Sequence, residues 1–174
     1  IPLQDAIKLN KLTREIHFCG ILETVKGALL NATSEKQVQH ETQLSAAALF
    51  DVEKTIFFTF DQSTNCIHGD QKNNPPSIIN DLSIRSEKDR SILANTIISN
   101  DSHDTFDTSY ETLSIVDQEI LHQASAQYLL CEPLTNNKKI FGVLVFALND
   151  KEMVQLPSTR KHVKDFTSAV SRAI

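Results

Sequence analysis

Apolar residues in this chain change period several times, and each change marks an element. Ile7, Leu9, Leu12, Ile16, Cys19, Leu22, Val25 and Leu29 recur at three- and four-residue steps, which predicts a long amphipathic helix. Asn31–Ser34 breaks it, and Ser34 with Gln37 has capping-box spacing, opening a second helix through Val38, Leu44, Leu49 and Phe50. Thr55–Phe60 switches to period two, with Ile56, Phe58 and Phe60 on one face and Thr55, Phe57 and Thr59 on the other. Asp61–Asn65 turns the chain and Cys66–His68 returns it. Gly69–Pro76 reads as loop, Asp81–Arg85 as a further strand and Ser91–Ser99 as a short helix. Asn100–Tyr110 reads as a polar loop, and a helix starts at Ser114.

Tyr128–Leu148 is the most informative stretch. Two apolar runs, Tyr128–Leu134 and Ile140–Leu148, flank Thr135–Lys139, where Asn136-Asn137 tolerates the positive φ of a tight turn, so the stretch reads as a β-hairpin. Strict alternation puts Ile140, Leu144, Phe146 and Leu148 on one face and Phe141, Val143, Val145 and Ala147 on the other. A strand apolar on both faces belongs in the middle of a sheet covered on both sides. Gly142 marks a place where a neighbour comes close. Pro157 opens a last helix with Val163, Phe166, Val170 and Ala173 on one stripe.

Composition narrows the function classes. The 174 residues, 40% hydrophobic with net charge −5, suit one domain with an appendage. Mild acidity argues against a broad nucleic-acid or anionic-membrane surface, and no apolar run approaches a bilayer span. Cys19, Cys66 and Cys131 are odd in number and far apart, as reduced thiols are, which points to the cytoplasm. There is no nucleophile elbow, P-loop, dinucleotide fingerprint, HExxH or paired-cysteine motif. His103, Asp104 and Asp107 share one loop but lack metal-site spacing, so no metal or cofactor is expected. His68, His122 and the run Arg160-Lys161-His162-Lys164 read as a strand-edge histidine and solvated helix faces.

The hairpin wording, Pro133-Leu134 followed by Ile140-Phe141-Gly142-Val143-Leu144, resembles the closing hairpin of GAF domains, sensory modules related to PAS domains. Leu49-Phe50-Asp51-Val52 leading into Thr55–Asp61, and Ser91–Ile98 followed by Phe106, extend the resemblance over roughly residues 21–174. It implies an α/β (α+β) fold: a six-stranded antiparallel sheet, terminal helices on one face, and a pocket-forming helix and loop layer on the other. Mapped onto this chain, the implied ligand-binding set is Phe58, Phe60, Ser83, Arg85, Ile97, Phe106, Tyr110, Leu121 and Tyr128, roofed by Asn100–Tyr110 as a lid. Neither the cyclic-nucleotide residue set nor a bilin-attaching cysteine setting can be placed.

The expectation is a bacterial signalling module, not an enzyme, with no catalytic residues. It would bind an unknown small molecule or relay a signal to an attached domain, as in an HDOD–GAF protein. The alternative is a ligand-free dimerisation or protein-interaction module. Residues 1–20 are read as a linker and dimerisation helix and 21–174 as the GAF-like domain. The early stripe Leu9, Leu12, Ile16, Cys19, Leu22 predicts a homodimer through the terminal helices.

Overall fold

A computed structural model describes residues 2–52, 54–69, 82–83 and 91–174. In chain order these form α1 (Pro2–Leu30), α2 (Glu35–Phe50), β1 (Lys54–Asp61), β2 (Cys66–Gly69), β3 (Leu82–Ser83), α3 (Ile92–Ser99), β4 (His103–Asp104), α4 (Ile115–Ala124), β5 (Tyr128–Asn136), β6 (Lys139–Leu148), α5 (Glu152–Gln155) and α6 (Pro157–Ala173). A 3₁₀ turn, Tyr110–Thr112, precedes α4. The sheet is antiparallel with strand order β3-β2-β1-β6-β5-β4. The expected α+β architecture is therefore present, and β6 lies between β1 and β5 in its middle.

Each sheet face carries its own core. On one, α1, α2 and α6 pack Phe18, Leu22, Val25, Leu29, Phe50, Val163 and Phe166 against Phe57, Leu130, Leu134, Leu144 and Phe146. On the other, α3 and α4 lay Leu93, Ile97, Ile120 and Leu121 over Phe58, Ile67, Leu129, Val143 and Val145. Burying apolar area against both faces is what the doubly apolar β6 requires, at about 25 cal/mol per Å² removed from water. Gly142 is fixed by the close approach of β1. A Cβ there would fall on the Phe58 carbonyl oxygen.

Strict alternation fails at one point. Leu134 pairs with Gly142 but Thr135 pairs with Ile140, so Phe141 is one residue extra, a bulge. The phase slips by one, and Phe141 packs with the terminal-helix core while Ile140 packs with the opposite one. The turn also sits one residue later than its composition suggests: Asn137 and Lys138, with φ of 50° and 64°, join the pair Asn136–Lys139.

The α2 cap forms with a variation. Gln37 N–H donates to Ser34 Oγ at 3.2 Å, while Gln37 Oε1 reaches back to the Thr33 N–H at 3.0 Å. Helix α1 is continuous through position 20 and carries two stripes rather than one. Phe18, Leu22, Val25 and Leu29 face their own domain; Leu9, Leu12, Ile16 and Cys19 lie on another side and are exposed. Leu22 thus belongs to the core and not to the outer stripe. No described helix is long and apolar enough to cross a membrane.

Candidate functional site

The α3/α4 layer is built from mutually capped helices. Ser91 Oγ accepts from the Ala94 N–H at 3.1 Å, and the buried Asp117 carboxylate of α4 accepts from the Ile92 N–H at 3.1 and 3.2 Å. Asp117 therefore stabilises the positive end of α3 and ties the two helices together. Ser114 caps α4 through the Asp117 N–H at 3.1 Å.

This layer brings part of the expected binding set together. Phe58, Ile97 and Leu121 are buried in its core, with Phe60 half-buried at its margin. Phe106 and Tyr128 lie on the other face, their rings edge-to-face with centroids 5.9 Å apart. Tyr110 is 51% exposed, its carbonyl accepting from Gln118 Nε2 at 2.8 Å. Ser83 sits in β3 opposite Cys66, and Arg85 lies outside the described residues.

The lid expectation needs correction, because part of Asn100–Tyr110 is an edge strand. His103 and Asp104 pair with Cys131 and Leu130, the Thr105 N–H donates to the Leu129 carbonyl at 3.1 Å, and Thr105 Oγ1 accepts from the Leu129 N–H at 3.0 Å. Phe106 then turns under the terminal-helix side, where Lys151 Nζ donates to its carbonyl at 2.9 Å. The three loop residues with ligand chemistry diverge: His103 meets Ser99, Asp104 caps the Phe106 N–H and Asp107 lies 3.8 Å from Lys151. Among the described residues no three His, Cys, Asp or Glu side chains converge on a metal position.

The thiols are equally dispersed. Cys66 on β2 and Cys131 on β5 are separated by β1 and β6, three ladder spacings or about 14 Å, beyond disulfide reach. Burial, with Asp117 and Glu132 nearby, pushes the Cys131 thiol well up, so it stays protonated. Cys19 is exposed on α1, on the terminal-helix side.

A polar cluster at the β4 edge was missed by sequence reasoning. Glu132 is buried on the terminal-helix face of β5, and its Oε2 accepts from Ser102 Oγ at 2.7 Å. Its Oε1 lies 3.9 Å from Arg160 Nη2 on α6. Burial raises the Glu132 carboxyl above its usual value, against the lowering effects of Ser102 and Arg160. Alongside, Lys164 and Asp101 stand 3.8 Å apart. The basic run on α6 is thus divided: Arg160 points to Glu132, His162 stacks on Phe18 at 3.8 Å, and Lys164 faces Asp101. The signal for this cluster was present as a single carboxylate in the apolar run Tyr128–Leu134. On the terminal-helix side a groove of about 970 Å³ runs between α1, the end of α2 and the start of α6, lined by Phe18, Ile21, Phe50, Leu156 and His162 among others.

No family model matches the chain, and no curated protein does. Solved structures do. The GAF domain of an Acinetobacter phosphoenolpyruvate-protein phosphotransferase superposes with TM-score 0.68 at 10% identity, covering 90% of this chain and 92% of that one. The GAF domain of the Escherichia coli potassium sensor histidine kinase KdpD gives 0.56 at 13% identity over 88% and 90%. A free methionine-R-sulfoxide reductase from Neisseria meningitidis, solved with its substrate, gives 0.66 at 11% identity over 90% and 87%. The chain has the GAF fold. The third likeness corrects the expectation that it is not an enzyme: this fold also houses a reductase, so the fold gives no ground for excluding catalysis.

Proposed function

We propose that this chain is a GAF-fold regulatory module that acts as a homodimer and relays a change in its α3/α4 layer to an attached domain through its terminal helices. The observation that carries this reading is the second stripe of α1. Leu9, Leu12 and Ile16 are 64%, 54% and 65% exposed, with Cys19 beyond them, while the same helix already has a full inner stripe packed on its own domain. Steps of three, four and three residues make the outer stripe a coiled-coil seam. Each chain offers the same surface, and two-fold pairing closes it. GAF domains from a sensor kinase and a phosphotransferase among the structural likenesses support a signalling role. The segment 1–20 acts as the dimerising linker, and three unpaired thiols favour a cytoplasmic setting.

The input side of this reading is a small molecule contacting the α3/α4 layer near Phe58, Phe60, Ile97 and Leu121. Light scattering tests the dimer: the wild type dimerises at micromolar concentration, and Leu12→Asp or Ile16→Asp gives folded monomers. A monomeric wild type refutes it. Native mass spectrometry of the purified protein tests the ligand, with an added small-molecule mass expected. A bare chain mass favours the ligand-free interaction module, for which the outer stripe of α1 is again the contact surface.

A further inference from the structure

We propose that Ser102, Glu132 and Arg160 form a polar latch that couples α3 to the first turns of α6 around the β4 edge of the sheet. Ser102 follows α3 by three residues and immediately precedes β4, so it is the link between that helix and the sheet edge. Its hydroxyl donates to Glu132 Oε2 at 2.7 Å, across to β5. Glu132 projects toward α6, and its other oxygen faces Arg160 at 3.9 Å, an ion-pair distance too long for a direct hydrogen bond. The Glu132 side chain is 3% exposed, and neither its Oε1 nor Arg160 Nη1 has a hydrogen-bond partner among the described residues.

A buried carboxylate left short of a half-buried guanidinium costs stability, because its desolvation is only partly offset. Closing the gap takes a movement of about 1 Å, to the usual length of a charge-assisted hydrogen bond. Val163, Phe166 and Val170 hold the helix to the sheet by apolar packing, which is not directional. Held through Oε2 by Ser102, the carboxylate leaves its Oε1 short of Arg160. A displacement of α3 that carries Ser102 away frees the carboxylate to turn fully to Arg160 and draw in the first turns of α6. The latch deepens the relay reading above and rests on it, supplying a route from one sheet face to the helix on the other.

Amide hydrogen exchange over Thr159–Val163 tests the latch in the unliganded full chain. Ser102→Ala is expected to slow exchange there by about fivefold, the net worth of one hydrogen bond, although the Ser102 hydroxyl bonds to β5. In a Glu132→Gln background the same substitution should have no further effect, and Asp101→Asn, which removes the charge of the exposed pair with Lys164 and keeps an oxygen for the Ser102 N–H, should leave exchange unchanged. The latch is overturned if Ser102→Ala leaves exchange within the experimental spread, if its effect persists undiminished with Glu132→Gln, or if Asp101→Asn alone reproduces it. Both serine and glutamate replacements are near-isosteric, and circular dichroism checks that the variants fold. None of these outcomes depends on dimerisation or on a ligand, so a failed latch and a failed relay reading are told apart.

Discussion

Three glycines give the sharpest test of the packing described here, because the structure assigns them opposite signs. Gly142 lies in the central strand, where an added Cβ would overlap the Phe58 carbonyl oxygen of β1 and stand 3.5 Å from Leu134 Cδ1. The obstacle is backbone on one side, so a rotamer change cannot relieve it. The strands must separate where Thr59 faces Gly142 and Phe58 faces Val143. Overpacking of this kind costs about 1–3 kcal/mol, and weakening a ladder hydrogen bond adds about 1 kcal/mol, so Gly142→Ala should destabilise by about 2–4 kcal/mol. Gly20 and Gly27 sit inside α1 with nothing within 4 Å of an added Cβ. Alanine there costs no space and removes the backbone freedom of glycine, stabilising by about 0.5–1 kcal/mol each. Urea unfolding followed by circular dichroism reads both effects. With a slope of about 2 kcal/mol/M, Gly142→Ala should lower the midpoint by about 1–2 M, and the helical variants should raise it by a few tenths. A Gly142→Ala midpoint within about 0.2 M of wild type would refute the close β1–β6 approach at this residue.

Other outcomes follow from the same geometry. Phe106→Ala should cost about 3–4 kcal/mol in thermal unfolding, as for a buried ring that fixes the β4 segment, whereas exposed Tyr110→Ala should stay within about 0.5 kcal/mol. Leu22→Asp should unfold the domain while Leu12→Asp leaves the circular dichroism spectrum intact, because Leu22 is buried and Leu12 is exposed. Glu132, faced by Ser102 and Asp101 from the β4 side and by Arg160 and Lys164 from α6, binds its proton more tightly folded than unfolded. Its contribution to stability therefore falls as pH rises from the unfolded value near 4.5 through the raised folded value, and Glu132→Gln should flatten that part of the stability profile measured by urea unfolding across pH.

What the sequence disclosed depended on whether the signal was local. The doubly apolar Ile140–Leu148 run declared a central strand because no other position in a sheet buries both faces, and Gly142 declared its close neighbour. The bulge at Phe141 was hidden, since a bulge is set by the partner strand's register rather than by the bulged residue's own type. Strand β4 was hidden in a polar tract for a similar reason. Two residues pair at a sheet edge, where one side is solvated and no apolar alternation is required. The outer and inner stripes of α1 read as one because both obey the same three-and-four spacing, about a third of a turn apart. Of the expected binding set, period marked Phe58, Ile97 and Leu121 as inward-facing, and the family resemblance set them on one sheet face. Phe106 could not, because its face is decided by where the chain crosses the β4 edge.

The orientation of the proposed dimer can be decided with a residue the chain already carries. In a parallel, in-register pair each seam position meets its own copy, so Cys19 faces Cys19 of the partner. In an antiparallel pair centred on Leu12–Ile16 the two thiols stand about five residues either side of the centre, hence about 15 Å apart along the helix axis. That distance is out of disulfide reach, whereas the parallel arrangement is within it. Cys19 is exposed and so open to exchange, Cys131 is buried, and Cys66→Ser removes the half-buried third thiol. Treatment with oxidised glutathione, a small disulfide that accepts the two electrons released, should therefore yield a dithiothreitol-reversible covalent dimer on a non-reducing gel. Parallel helices are what a relay needs, since both N-termini then enter from one end and both α6 helices leave under the same symmetry. A chain that scatters as a dimer yet gives no covalent species under this treatment would refute the parallel seam and require the relay to be redrawn for opposed helices.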